Sequence, residues 1–289
     1  MNIIKTSNTE DIKPFLKKIY IAPKDSHKGQ NGKILVVGGS GLFHAASIWA
    51  AETASYFVDM VHYSSTKENN EIVLSLKKKF MNGIVVAQKD MNTYITEDDV
   101  VLMGPGMARG DSKEGKFTAK MTQDLLKNFP DKRVVLDAGA LQALNPDWLT
   151  GRGAPAILTP HQKEFKAAFK IDLTDKSDEE KTQIIKETAK KYKVVILLKT
   201  IYDIVSDGTT TYRVEGGNPG LTRGGSGDVL AALTASLYAK SDPVTAAVVA
   251  SYVIKKTAER LSITSGYWYN TSKIVQAIPE TLHDIIKSA

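Results

Sequence analysis

One stretch, Gly216-Gly217-Asn218-Pro219-Gly220-Leu221-Thr222-Arg223-Gly224-Gly225-Ser226-Gly227-Asp228, sets glycines and a carboxylate directly before the apolar run Val229-Leu230-Ala231-Ala232-Leu233. Glycine lets a backbone approach a ligand closely and adopt positive φ. The free N–H groups opening the helix that follows, together with its dipole, favour an anion. Gly224, Gly225, Ser226 and Gly227 would therefore cradle a transferring phosphate through backbone donors. Asp228, planted among those donors, is placed for acid-base work beside a phosphate. The plainer alternative is a first-turn carboxylate that only complements the dipole. Asn218-Pro219-Gly220 alone is a turn signal. Arg223 is either a phosphate ligand or a solvated loop residue.

Further polar or glycine chemistry follows short apolar runs. Val37 leads into Gly38-Gly39-Ser40-Gly41, Met103 into Gly104-Pro105-Gly106, and Leu136 into Asp137-Ala138-Gly139. Leu158 leads into Thr159-Pro160-His161, and Leu198 into Lys199-Thr200. The runs themselves, 34–37, 84–86, 100–103, 134–136, 156–158 and 194–198, have the length and β-branching of buried strands. Helical patterns lie between or after them at 45–59, 113–129, 177–192, 228–239, 243–261 and 271–287. Strands alternating with helices predict a mostly parallel sheet covered on both faces, with ligands beyond the strands' carboxyl ends. The Asp207-Gly208 turn between 202–205 and 210–214 predicts a β-hairpin. Residues 1–20 read as a helix without an assigned role. No repeat or linker is visible, so 1–289 is expected to be a single domain.

The chain carries 42% hydrophobic and 24% charged residues with a net charge of +6, ordinary for a globular enzyme with an anionic small ligand. No basic block with interleaved aromatics points to nucleic acid, and Lys77-Lys78-Lys79 reads as a solvated face. There is no cysteine, which excludes disulfides, zinc-thiolate sites and Cys nucleophiles. No signal peptide or membrane span is expected, and a cytoplasmic enzyme is the default class.

The motifs His27-Lys28-Gly29…Gly38-Gly39-Ser40, Gly104-Pro105-Gly106, Leu136-Asp137-Ala138, Thr159-Pro160-His161…Glu164 and Asn218-Pro219-Gly220…Gly224-Gly225-Ser226-Gly227-Asp228 occur in this order. Together they resemble the ADP/ATP-dependent NAD(P)H-hydrate dehydratases, the carbohydrate-kinase-like domain of the YjeF type, over most of the chain. The resemblance implies a ribokinase-like three-layer α/β/α fold. It also implies repair of hydrated NADH or NADPH: the C6 hydroxyl is phosphorylated by ADP or ATP with Mg²⁺, and phosphate then leaves. Asp228 would be the base, and Ala46, Gly104, Gly106 and His161 would bind the substrate along with it. Lys199, Thr200, Ile201, Tyr202, Asp203, Asn218 and Gly224 to Gly227 would bind the nucleotide. No direct metal ligand is assignable. A homo-oligomer, a tetramer among the options, and a separate epimerase acting on the same substrate are further implications.

The chain departs from the family pattern at Gly139, where a second carboxylate is usual, at Thr200, where glycine is usual, and at 59–63, where a glycine-rich turn is usual. His161 and Lys199 also have structural alternatives, as a satisfied histidine and a surface lysine. Glu164 serves equally as a capping partner of His161 or Thr159. The rival readings are a small-molecule kinase of the same fold, acting on a vitamin precursor or sugar, and a silent nucleotide-binding regulator.

Overall fold

Apolar runs flanked by turn residues become strands, and the amphipathic stretches between them become the helices that cover the sheet. The structure, a computed structural model, describes residues 1–78 and 81–288. The first half contains β1 (Asn2–Lys5), α1 (Lys13–Leu16), β2 (Lys33–Val37), α2 (Ala45–Ala54), β3 (Met60–Ser64), α3 (Lys67–Ser75), β4 (Gly83–Val85), α4 (Met91–Glu97), β5 (Val100–Met103) and α5 (Lys113–Asn128). It continues with β6 (Arg133–Leu136), α6 (Ala138–Gln142), β7 (Ala156–Leu158), α7 (Gln162–Phe169), α8 (Asp178–Tyr192), β8 (Val195–Leu198), β9 (Asp203–Ser206) and β10 (Thr211–Glu215). Three helices close the chain: α9 (Ser226–Tyr238), α10 (Pro243–Ser265) and α11 (Thr271–Ser288).

The strands form one sheet in the order β1-β10-β9-β8-β7-β6-β5-β2-β3-β4. Among the described residues only β9 runs antiparallel, between β8 and β10. The chain winds outward from β2 through β3 to β4, then returns to β5 on the other side of β2 and winds outward again through β6 to β8. This reversal opens a crevice beyond the carboxyl ends of β2 and β5. Register holds those ends level: Val37 pairs with Met103, Met103 with Leu136, and Leu136 with Leu158.

Strand alternation splits the interior into two cores. Ile34 and Val36 face α2, α9, α10 and α11, whereas Leu35 and Val37 face α5 to α8. Helix α9 lies in the thick of the first core, every residue from Val229 to Tyr238 being buried. A helix apolar on all sides has to be covered on all sides. Each fully buried Leu or Val there contributes roughly 1.5–3 kcal/mol, which fixes the helix whose N-terminus carries Asp228.

The three-layer α/β/α architecture and the hairpin at 207–208 agree with the sequence reading, and three expectations are corrected. Residues 1–20 are not one helix: Asn2–Lys5 pairs in parallel with β10, and Pro14 opens a single helical turn. Helix α2 ends at Ala54 rather than Asp59, because Met60–Ser64 is a strand paired with β2. That strand covers most of 59–63, the stretch that lacks the family's usual glycine-rich turn. Its one charged-type residue, His62, is buried against Asp98 with Nδ1–Oδ1 at 2.8 Å, so the polar ring is satisfied inside the sheet. Lys77 donates to the Gly83 carbonyl instead of lying solvated, and Lys79 falls outside the described residues. No helix among the described residues is long and apolar enough to cross a membrane.

Candidate active site

The glycine segment reaches the sheet rim as a turn wrapped around the N-terminus of α9. Gly225 has φ +99°, and a Cβ there would stand 2.4 Å from the Trp49 ring, so only glycine fits between the turn and α2. The first helical bond runs from the Val229 N–H to the Gly225 carbonyl at 3.0 Å. The Gly227 and Asp228 N–H groups precede that bond and point off the helix end. The Ser226 N–H is already taken by the Arg223 carbonyl at 3.2 Å, and its hydroxyl by the Leu221 and Arg223 carbonyls. The cradle therefore relies on the glycine and Asp228 amides rather than on the serine.

Asp228 lines a cavity of ≈ 580 Å³ at the β2/β5 crevice. Ala46 and Trp49 come to it from α2, Gly106 and Met107 from the turn after β5, and Gly139 from α6. Burial first, then the neighbouring Asp137 and Glu164 carboxyls, push the Asp228 carboxyl up to about 7 against the opposing pull of Lys199. A carboxylate titrating near neutrality is matched to general-base work. Ala138, at the cavity wall, holds φ 41° without being glycine, a strained backbone of the kind that clusters at functional sites.

Lys199 is the cation of this group. Its Nζ lies 2.8 Å from Asp137 Oδ1 and 3.7 Å from Glu164 Oε2. Burial would depress the ammonium, but Asp137, Glu164 and Asp228 outweigh it and hold the pKa above that of an ordinary lysine. The same Asp137 oxygen also accepts from the Thr159 hydroxyl at 2.8 Å. Burial raises the Glu164 carboxyl, with Lys199 opposing and Asp137 adding to the rise. Asp137 sits at a strand end and was visible as Leu136-Asp137; its importance was not, because nothing local says that Lys199, from β8, will meet it.

Several expected site residues lie elsewhere than the cavity. Gly104 is buried between strand ends, where a Cβ would come within 1.8 Å of the Asp137 carbonyl; packing alone demands this glycine. His161 caps α7: its Nδ1 accepts from the Lys163 and Glu164 N–H groups at 3.1 and 3.2 Å, and Glu164 accepts from the His161 N–H at 2.9 Å. It lines a neighbouring cleft of ≈ 940 Å³ together with Lys199, Thr200, Ile201 and Tyr202. Asn218 has both amide ends engaged, accepting from Gly220 N–H and Tyr269 O–H and donating to the Ala258 carbonyl. Arg223 donates to the Tyr267 carbonyl at 3.0 Å, tying the turn to the α10–α11 connection.

The segment 199–203 is a tight turn. Asp203 accepts from the Thr200 N–H at 3.1 Å and from the Ser251 hydroxyl at 2.7 Å. Lys255, 3% exposed, donates to the Ile201 carbonyl at 3.0 Å. Ile201 itself is 92% exposed and Tyr202 lies under the Arg213 guanidinium at 3.5 Å. A small pocket of ≈ 110 Å³ connects Lys199 and Thr200 with Ser226, Gly227 and Lys255, so this turn and the cradle face a common space. An acid-base group, an anion cradle and two adjoining recesses suit phosphoryl transfer onto a bound hydroxyl.

Residues 34–280 match the sequence model of the NAD(P)H-hydrate dehydratases. An ADP-dependent (S)-NAD(P)H-hydrate dehydratase of Nitrosopumilus maritimus is 33% identical over 261 residues, covering 86% of each chain. A bifunctional NAD(P)H-hydrate repair enzyme of Pyrobaculum aerophilum is 31% identical over 89% of this chain, which spans 52% of that relative's length. Among solved structures, an ADP/ATP-dependent NAD(P)H-hydrate dehydratase from Bacillus subtilis, co-crystallised with ATP and Mg²⁺, superposes with a TM-score of 0.80 over 96% of this chain at 20% identity.

Proposed function

The chain belongs to the NAD(P)H-hydrate dehydratase family, and we propose that its site returns (S)-NAD(P)H hydrate to NAD(P)H at the expense of ADP or ATP. The observation that carries the mechanism is Asp228: a carboxyl pushed up to about 7, in the first turn of α9, between the glycine amides and the ≈ 580 Å³ cavity. The hydrated nicotinamide occupies that cavity with its C6 hydroxyl toward Asp228. The nucleotide lies along 199–203 with its terminal phosphate on the Gly224–Gly227 turn. Asp228 removes the hydroxyl proton as the oxygen attacks phosphorus, and the Gly227 and Asp228 N–H groups with Lys199 take up the charge on the phosphate.

Among the described residues no group of three or more His, Asp or Glu could cage a metal. Mg²⁺ bound to a nucleotide needs only one or two carboxylates besides phosphate and water, and Glu164, buried beside Lys199, fits that demand. The ion would neutralise phosphate charge; Glu164 would hold it together with the nucleotide.

The test supplies hydrated NADH with ADP, then with ATP, and follows the return of the reduced-nicotinamide absorbance. Recovery with either nucleotide is the expected result. No recovery with both, alongside phosphorylation of a different alcohol, would make the protein a small-molecule kinase.

A further inference from the structure

Restoring the ring takes a second proton. Once the C6 oxygen carries phosphate, the C6–O bond breaks and phosphate leaves with its electron pair. A C5–H bond must break in turn, so that its electrons form the C5–C6 double bond. Asp228 already holds the hydroxyl proton at that stage, so the proton from C5 goes either to the departing phosphate or to a second side chain of the cavity.

Four titratable side chains line the cavity: His44, Arg109, Glu164 and Asp228. The Arg109 guanidinium carries only donors and offers no lone pair to a proton. Glu164 is the carboxylate given above to the nucleotide's Mg²⁺, and it also accepts from the His161 N–H and faces Lys199. Outside the cavity, His161 has the wrong tautomer: an Nδ1 that accepts two backbone N–H groups leaves the proton on Nε2.

His44 has the opposite tautomer, and the surrounding hydrogen bonds dictate it. Asn69 is fully buried and its Nδ2 donates to the Ser40 carbonyl at 3.2 Å. That contact turns Asn69 Oδ1 toward His44 Nδ1, 2.6 Å away. An amide oxygen only accepts, so His44 Nδ1 must carry the proton and Nε2 the lone pair. Nε2 has no hydrogen-bond partner among the described residues. His44 sits at the N-cap of α2 and Asp228 in the first turn of α9, so the two residues line the cavity from different elements.

We propose that His44 is the base that removes the C5 proton, an assignment that rests on the dehydratase reading above. The proton passes from C5 to Nε2 as phosphate departs, and then to solvent; Asn69 is the positioning residue that keeps Nε2 free.

The test is a single-turnover experiment on the intact protein with hydrated NADH and ADP. One channel follows AMP formation after quenching and the other the return of the nicotinamide band. In His44→Gln, AMP should form at the wild-type rate while the band returns on the order of 10²-fold more slowly, with phosphorylated hydrate detectable by mass. Wild type should show a primary isotope effect on band return with substrate deuterated at C5, a measurement that needs no variant. A wild-type rate of band return in His44→Gln overturns the proposal, as does equal slowing of both channels or the absence of an isotope effect in wild type when band return is made rate-limiting. If wild type forms no NADH at all, the dehydratase reading itself fails, and that outcome is distinct from the others.

Discussion

Asp228 shows how one residue type is turned to a task by its surroundings. An exposed aspartate is a poor base at neutral pH because it hardly binds a proton. Here burial, with Asp137 and Glu164 nearby, lifts its carboxyl to about 7 against the pull of Lys199. Asp228→Asn should keep nucleotide binding and lose about 10²–10⁴ in turnover, read by titration and by the absorbance assay. Wild-type kcat/KM in the free enzyme should fall about tenfold per pH unit below about 7, as the base is protonated. The stability effect has the opposite sense. With the folded pKa raised, the folded state binds more protons than the unfolded state between about 4 and 7, so this group's contribution falls as pH rises through that window. The asparagine variant should therefore unfold at a higher temperature than wild type at pH 8 and show little gain at pH 4, in calorimetric scans. An equal Tm at pH 8 would mean that the carboxyl is not perturbed.

At the scale of elements, the site is made by strand ends and helix starts pressed close together. Gly139 lies in α6, and a Cβ on it would stand 2.4 Å from the Met107 carbonyl of the turn after β5. The carboxylate usual in the family has no room here without moving that turn, which also walls the cavity. Gly139→Asp should therefore destabilise the protein by about 1–3 kcal/mol, the cost typical of overpacking, and raise KM for the hydrate. A lowered urea midpoint at unchanged slope would register the first, steady-state kinetics the second. A neutral effect on both would show that the α6 start and the Met107 turn are not in fixed contact.

The whole molecule couples its N-terminal strand to the glycine segment through α10. Glu259 accepts from the Thr6 hydroxyl and from the Gly217 N–H, the latter at 3.0 Å. Lys256 adds a bond to the Thr6 carbonyl at 3.0 Å. A hydrogen bond to a charged group contributes about 1.5–3 kcal/mol. Glu259→Ala should lower Tm and raise the nucleotide KM while leaving the pH dependence set by Asp228 in place. A drop in Tm with nucleotide KM unchanged would limit Glu259 to a structural role.

Much of this architecture could be read without coordinates. Apolar runs such as Val100-Val101-Leu102-Met103 carry their own strand signal, and the glycine-rich start of α9 announces an anion site because the free amides there are a local property. The turn at Asp207-Gly208 is local in the same sense. β3 was not legible, since Met60-Val61-His62-Tyr63-Ser64 becomes a strand only through its pairing with β2 and the partner that Asp98 gives His62. Residues 2–5 read as helix from their sequence but form a strand for the same reason, their order coming from β10. The ordered motifs and the carboxylate among the glycines were set by the sequence alone. That His161 is a helix cap outside the cavity, that Lys199 binds Asp137, and that Asn69 fixes the tautomer of His44 were decided only by the fold. Those contacts join residues 25 to 62 positions apart or reuse local donors in ways that depend on burial, and neither distance nor burial is written in the order of the residues.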